Sequence, residues 1–314
     1  MKSTTRNFYE DLVIAAVNDI RAVVDSAIDL HAIAKRASLA PLHFHHIFRG
    51  LVGETPLGMH RRLRLERAAI TLSTMMIPVT RLAFEAGYET HESFTRAFQS
   101  AFGVSPSEFR GAAQTQPVPW TAATKTVLAA RSGIHANSAP KAKPALAQET
   151  CTMKVETLDC PRKHVLAVQH CGAYAAVSES FAKLDAIVRP RGLLALEGLE
   201  LVAIFHDDPE ITPVAELRAE AGIVVPPKTR VVPGLHRLIL PAGTYARALH
   251  TGPYATLGDS WSQLMGNWLP KSGYRVAAGP SYERYLNTPM EVPPAKLRTE
   301  LYLPVVLPKP FRSG

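Results

Sequence analysis

Apolar residues recur through the first hundred positions at helical spacing. Over residues 77–110, Val79, Leu82, Ala83 and Ala86 form one stripe, Gly87 interrupts it, and Phe94, Ala97, Phe98, Ala101 and Phe102 form a second. This pattern predicts two helices about a tight turn. Gly87 accepts the positive φ that stops the first helix and lets the second leave at the steep angle of a helix-turn-helix. The free side of the second helix carries Thr90, His91, Glu92, Thr95, Arg96 and Gln99, donors and acceptors long enough to reach base edges in a major groove. Ser105-Pro106-Ser107-Glu108 reads as a capping box opening a short closing helix.

The same apolar plan occurs upstream. Ile33 corresponds to Leu82, Phe44 to Phe94, Phe48 to Phe98 and Gly53 to Gly103, and Leu42, His45, His46 and Arg49 fall on the second helix of this copy. A single such motif reads equally well as a helical hairpin with a solvated face. Two copies joined by a helix over Pro56 to Thr74, with Thr55 as N-cap, are more specific. That connector is about 28 Å long, near the ~34 Å repeat of B-DNA, so one chain can present two recognition helices to successive turns of the groove. Arg61 and Arg62 at the connector's start, with Arg110, are candidate phosphate contacts. A further amphipathic helix is expected over residues 10–27, with Leu12, Ala16, Ile20, Val23 and Val24 inward.

From Met153 the pattern changes to short strands with two helices, and it repeats. His170-Cys171-Gly172-Ala173-Tyr174 recurs 80 positions later as His250-Thr251-Gly252-Pro253-Tyr254, each time between a strand and a helix. Strands are expected after each helix: over 199–205 and 219–225, then over 281–287 and 300–306. Two strand-helix-strand-strand units can pack about a pseudo-twofold axis and leave a cleft. His170 and His250 lie at corners of the repeat, where stabilising the turn is the simpler role. The expected fold is thus multi-domain: an all-α tandem helix-turn-helix domain over 1–112, an extended linker over 113–152 and an α+β domain over 153–314. The linker assignment rests on its Ala, Pro, Thr, Lys and Ser content; Trp120 has no evident role there.

Composition adjusts this picture little. The chain has 314 residues and a formal charge of +8, but the charge is spread: 13 basic and 11 acidic residues fall in 1–112, 4 and 1 in the linker, 18 and 15 beyond it. Net charge therefore does not mark the DNA-binding part; local clustering is the better guide. No apolar run approaches the ~18 residues of a membrane span, and a cytoplasmic protein is expected, associated with the nucleoid when bound to DNA. Cys151, Cys160 and Cys171 form no C-x-x-C pair, so reduced thiols are expected. His43, His45 and His46 point to different sides of one helix, which argues against metal. No cofactor is expected.

Residues 10–112 resemble the DNA-binding domain of the AraC/XylS family of bacterial transcription regulators, and GYETHESFTRAFQSAFGVSPSEFR is close to that family's signature. The first motif departs from it: Ser38 stands at the usual turn glycine and Ala40 at the usual N-cap. Residues 153–308, with HTGPYATLGDSWSQLMGNWLPKSGY, GPSYERYLNTP and AELRAEAGIVVP, are similar to the GyrI-like effector-binding domain. The resemblance implies a regulator that binds double-stranded operator DNA, works with RNA polymerase, is not an enzyme and responds to a cationic or amphipathic small molecule. It also implies a ligand-binding glutamate at the floor of an aromatic pocket, which maps to Glu283. Tyr245, Trp261, Trp268 and Tyr285 are candidates to line it with cation–π faces, or to be core. Three alternatives stand beside this: Glu283 paired to Arg247, a domain that hydrolyses or sequesters reactive compounds, and a protein-interaction module.

Overall fold

The structure is a computed structural model that describes residues 2–115, 133–136, 153–196 and 198–308. By their contacts these form two compact units, one of Met1–Phe8, Pro41–His46 and Glu149–Gly314, the other of Tyr9–Ala40 and Ile47–Gln148. No helix among the described residues is long and apolar enough to cross a membrane.

The helical elements are α1 (Lys2–Ala22), α2 (Leu30–Arg36), α3 (Pro41–Val52), α4 (Pro56–Thr74), α5 (Val79–Glu85), α6 (His91–Phe102) and α7 (Pro106–Thr115). Thr55 caps α4 and Thr90 caps α6 by accepting from the Gly58 and Ser93 amides. Ser105 and Glu108 form the reciprocal capping box ahead of α7, with bonds of 2.8 and 3.3 Å. Gly53 and Gly103 end α3 and α6 in the left-handed region, and Gly87 turns between α5 and α6 with φ 73°. Ser38 takes the corresponding place between α2 and α3 with φ 54°, a conformation strained for a side chain. Ala40 offers α3 no side-chain cap.

Phe94, Phe98, Ala101 and Phe102 of α6 pack on Leu65, Ala69 and Leu72 of α4 and on Leu82 and Ala83 of α5. Burying each phenyl ring contributes about 1.5–3 kcal/mol. α1 starts and stops earlier than its pattern predicts: a turn in which the Ser26 amide bonds Val23 oxygen follows it. Its buried stripe is Tyr9, Val13, Ala16, Val17 and Ile20. Of the linker, residues 116–132 and 137–152, with Trp120 and Cys151, lie outside the described residues. Gly133–Ala136 is described and not extended into solvent: Ile134 is buried, and the Ala136 amide donates to Glu66 of α4 at 2.8 Å.

The α+β part holds β1 (Val155–Cys160), β2 (Lys163–Cys171), α8 (Val177–Val188), β3 (Leu201–Phe205), β4 (Arg218–Val225), β5 (His236–Leu240), β6 (Gly243–Thr251), α9 (Leu257–Ser262), α10 (Leu269–Ser272), β7 (Arg275–Val276), β8 (Tyr282–Tyr285) and β9 (Arg298–Val306). A π-helical turn, Gln263–Trp268, joins α9 to α10. The strands run β1-β6-β9-β8-β3-β4-β2-β5, with β7 beside β9, and every pairing is antiparallel.

The expected units β2-α8-β3-β4 and β6-α9-β8-β9 are present. Each is preceded by a strand that the pattern alone did not assign, and those strands are exchanged: β1 pairs with β6 and β5 pairs with β2. The registers agree under the offset of the repeat, since Leu158 opposes Tyr245 as Leu238 opposes Val165. At the centre β3 meets β8, where Ala203 opposes Glu283. Those two positions correspond under the repeat, so Glu283 sits on the pseudo-twofold axis with a small residue facing it.

His170 Nδ1 lies 3.0 Å from Ser180 Oγ and His250 Nδ1 2.8 Å from Ser260 Oγ. Each joins the end of a strand to the following helix, the corner role expected of them.

Candidate functional sites

Side chains alternate across a strand, so Glu283 and Tyr285 point to one face of β8 while Tyr282 points to the other. Tyr282 joins Tyr245, Tyr302, Val202, Ile204 and Cys160 in an apolar cluster, with the Tyr282 and Tyr302 rings stacked at 4.6 Å. On the opposite face Glu283 is buried. The Trp261 indole N–H donates to its Oε1 at 2.9 Å, and the Tyr285 hydroxyl donates to its Oε2 at 2.7 Å. The rings of Phe181 and Tyr254 each meet Tyr285 edge-on, with centroids at 5.4 Å.

Burial raises the Glu283 pKa, and the two hydrogen bonds only partly offset that. Burial, and then the nearby Glu283 charge, likewise hold the Tyr285 and Tyr254 hydroxyls above their usual range. Tyr254 is exposed and marks the side on which the cage meets solvent.

Of the residues singled out for this pocket, Trp261 and Tyr285 touch Glu283, and two do not. Tyr245 lies on the other face of the sheet, where its hydroxyl donates to Pro241 oxygen. Its position on β6 carries the parity of that face. Trp268 stacks instead on Tyr274, with centroids at 6.2 Å, beyond the π-helical turn. Nor does Arg247 pair with Glu283: it reaches Glu156 at 2.6 Å and Glu300 at 3.5 Å, in a set of alternating charges that continues through Arg284, Glu200 and Lys163. Phe181 and Tyr254 are the cage residues that sequence reasoning missed. The repeat held the signal, because Phe181 corresponds to Trp261 and Tyr174 to Tyr254.

On α6, Glu92, Arg96 and Gln99 are exposed along one side, and His91 is half-buried at the first turn. The Glu92 carboxyl is held below its usual range by its own backbone amide and the Thr90 hydroxyl. The Thr95 hydroxyl is buried and is not presented for base contact as expected; its position turns toward the helix core. On α3, Leu42 and Arg49 are half-buried and His45 and His46 are buried. These two histidines are not on a solvated face, because Pro41–His46 packs into the unit that holds the sheet.

Two expected phosphate contacts are corrected. Arg62 is buried in α4, bonding Glu54 at 2.6 Å and Glu66 at 2.5 Å. Arg110 donates to Ile77 oxygen at 2.5 Å. Both guanidinium groups serve the helical core, whereas Arg61 is exposed. Among the described residues no group of three His, Cys, Asp or Glu side chains is placed to hold a metal ion.

A tandem helical module ahead of a duplicated sheet with a buried carboxylate on its axis defines a two-part class of protein, helix-turn-helix followed by α+β. A family described as the GyrI-like small molecule binding domain matches residues 153–306, and one described as a helix-turn-helix domain matches residues 33–112. The DNA gyrase inhibitor of Erwinia billingiae is 36% identical over 107 residues, which cover 33% of this chain and 68% of that protein. The arabinose operon regulatory protein of Escherichia coli is 32% identical over 88 residues, 28% of this chain. The chain spans 30% of that regulator's length. The C-terminal domain of EcmrR is 19% identical with a TM-score of 0.40, covering 49% of this chain and 98% of that one. The chain belongs to the GyrI-like family, with an AraC-type DNA-binding helix-turn-helix domain ahead of the GyrI-like domain.

Proposed function

We propose that this protein is a one-component transcription regulator that binds operator DNA through α6 and α3 and responds to a small organic cation held at Glu283. The observation that carries the effector reading is the buried carboxylate with two neutral ring donors, Trp261 and Tyr285. A carboxylate taken out of water without a counter-charge is costly to ionise, and an entering cation removes that cost. The faces of Trp261 and Tyr285, with Phe181 and Tyr254 beside them, each add about 0.5–2 kcal/mol of cation–π attraction. The ligand class is therefore a flat or compact organic cation with apolar substituents.

The DNA reading rests on the capped, amphipathic α6 with Glu92 and Arg96 exposed one turn apart, a geometry that reaches base edges from the major groove. His91 at the first turn and Leu42, His45, His46 and Arg49 of α3 complete the proposed base-reading set, and Arg61 is the proposed phosphate contact. RNA polymerase is the proposed protein partner, and the cytoplasm the proposed compartment. The reading of the domain as a hydrolase is less well supported, because both oxygens of Glu283 accept hydrogen bonds from rings, whereas a general base must accept a proton from water.

Selection of bound fragments from random DNA by the full chain, repeated with benzyltrimethylammonium, tests the proposal. A defined site whose affinity changes with the cation is expected. No preference over bulk competitor at moderate salt overturns the DNA reading, and turnover of a bound compound overturns the sensor reading.

A further inference from the structure

α3 begins inside the unit that holds the sheet, and its first two turns are fastened there. His43 Nε2 lies 2.8 Å from Ser281 Oγ, and His46 Nδ1 lies 3.3 Å from Ser262 Oγ. The Ser262 hydroxyl donates to Gly258 oxygen at 2.9 Å, so it accepts from the His46 N–H. The His46 ring stacks on Trp261 at 6.2 Å with an interplanar angle of 26°. His45 Nδ1 is 3.1 Å from Asp208. Contrary to the expectation that they point to different sides of the helix, His43 and His46, three positions apart, share a face.

The points of attachment adjoin the cage. Ser262 follows Trp261 in α9, and Ser281 immediately precedes β8, two residues before Glu283. Trp261 touches both partners at once, offering a ring face to His46 and its N–H to Glu283.

A recognition helix reads bases with residues of its N-terminal part. His45 and His46 cannot meet a groove while they are buried in this unit. We propose that the start of α3 is an intrachain latch, in which His43 and His46 close on Ser281, Ser262 and Trp261, and that occupancy of the Glu283 cage opens it. The proposal rests on the cage being a cation site. A cation drawing the carboxylate away from the Trp261 N–H leaves the indole without its acceptor, and the indole is the surface on which His46 lies. Each contact of the latch is worth a factor of a few to about ten in equilibrium. A ligand shifts such a balance by the ratio of its affinities for the two states.

The test uses the full chain and an operator fragment selected from random DNA. S262A/S281A removes both serine hydroxyls and leaves Glu283, Trp261 and Tyr285 in place. It is expected to bind the fragment about five- to tenfold more tightly than the wild type without cation, and to gain correspondingly less when benzyltrimethylammonium is added. S281A alone, expected to give part of that gain, covers loss of folding in the double variant. Equal affinity of wild type and both variants, with equal stimulation by the cation, overturns the latch. Calorimetric titration of benzyltrimethylammonium separates the two readings: no binding to the wild type refutes the cage as a cation site, whereas binding with unchanged DNA affinities refutes the latch alone.

Discussion

Glu283 is the residue on which the sensor reading turns, and its ionisation gives a direct check. The folded protein raises its pKa by burial. Between the ordinary carboxylate pKa and that raised value, the folded chain therefore holds more protons than the unfolded one. Stability falls as pH rises through this window, and the loss is complete above it. Glu283→Gln removes the group that must ionise. It is expected to raise unfolding stability at neutral pH by about 1–3 kcal/mol, the scale of a buried polar group whose desolvation is only partly offset. The gain should vanish below the ordinary carboxylate pKa, as denaturant titrations across pH will check. At this scale the sequence was informative in part. Trp261, Tyr285 and Glu283 come together as the family resemblance implies, while Tyr245 and Trp268 were misjudged. An aromatic residue on a strand looks the same whichever face it takes until a register fixes the parity.

At the scale of elements, α4 carries a structural basic residue beside an exposed one. Arg62 and Arg61 are neighbours in sequence, yet one is buried between Glu54 and Glu66 and the other is exposed. Arg62→Ala leaves two carboxylates near one another without their cation. A loss of about 3–5 kcal/mol in unfolding free energy is expected, with no change in the salt slope of DNA binding, which counts phosphate contacts. Arg96→Ala on α6 should leave stability unchanged and cost about 1–3 kcal/mol at a cognate site. An equal loss on random DNA would assign it to phosphate. Helix boundaries were largely legible because caps and glycines are local: Thr55, Ser105, Gly53 and Gly103 all act within a turn of where they stand, whereas Thr90, expected on the base-reading side, caps α6 instead. The exchange of β1 and β5 was not legible, since strand pairing across eighty residues leaves no local mark. Nor was the burial of His45 and His46. A histidine on a helix reads as solvated until something distant covers it.

For the whole molecule, the duplicated sheet explains how a single carboxylate comes to stand at the centre of the proposed ligand site. The repeat brings Ala203 opposite Glu283 on the axis, and Phe181 and Trp261 reach the cage from corresponding places on the two helices. One half supplies the charge and both supply the walls, so the site forms only when the two halves are joined. Calorimetric titration of benzyltrimethylammonium into the wild type and Glu283→Gln, in buffers of different ionisation enthalpy, tests this most directly. The account predicts saturable binding to the wild type that strengthens with pH and releases protons as the carboxylate ionises against the cation. It also predicts a loss of about 2–5 kcal/mol of affinity and of the proton release in the variant. Equal affinity and equal heats for the two proteins would contradict it.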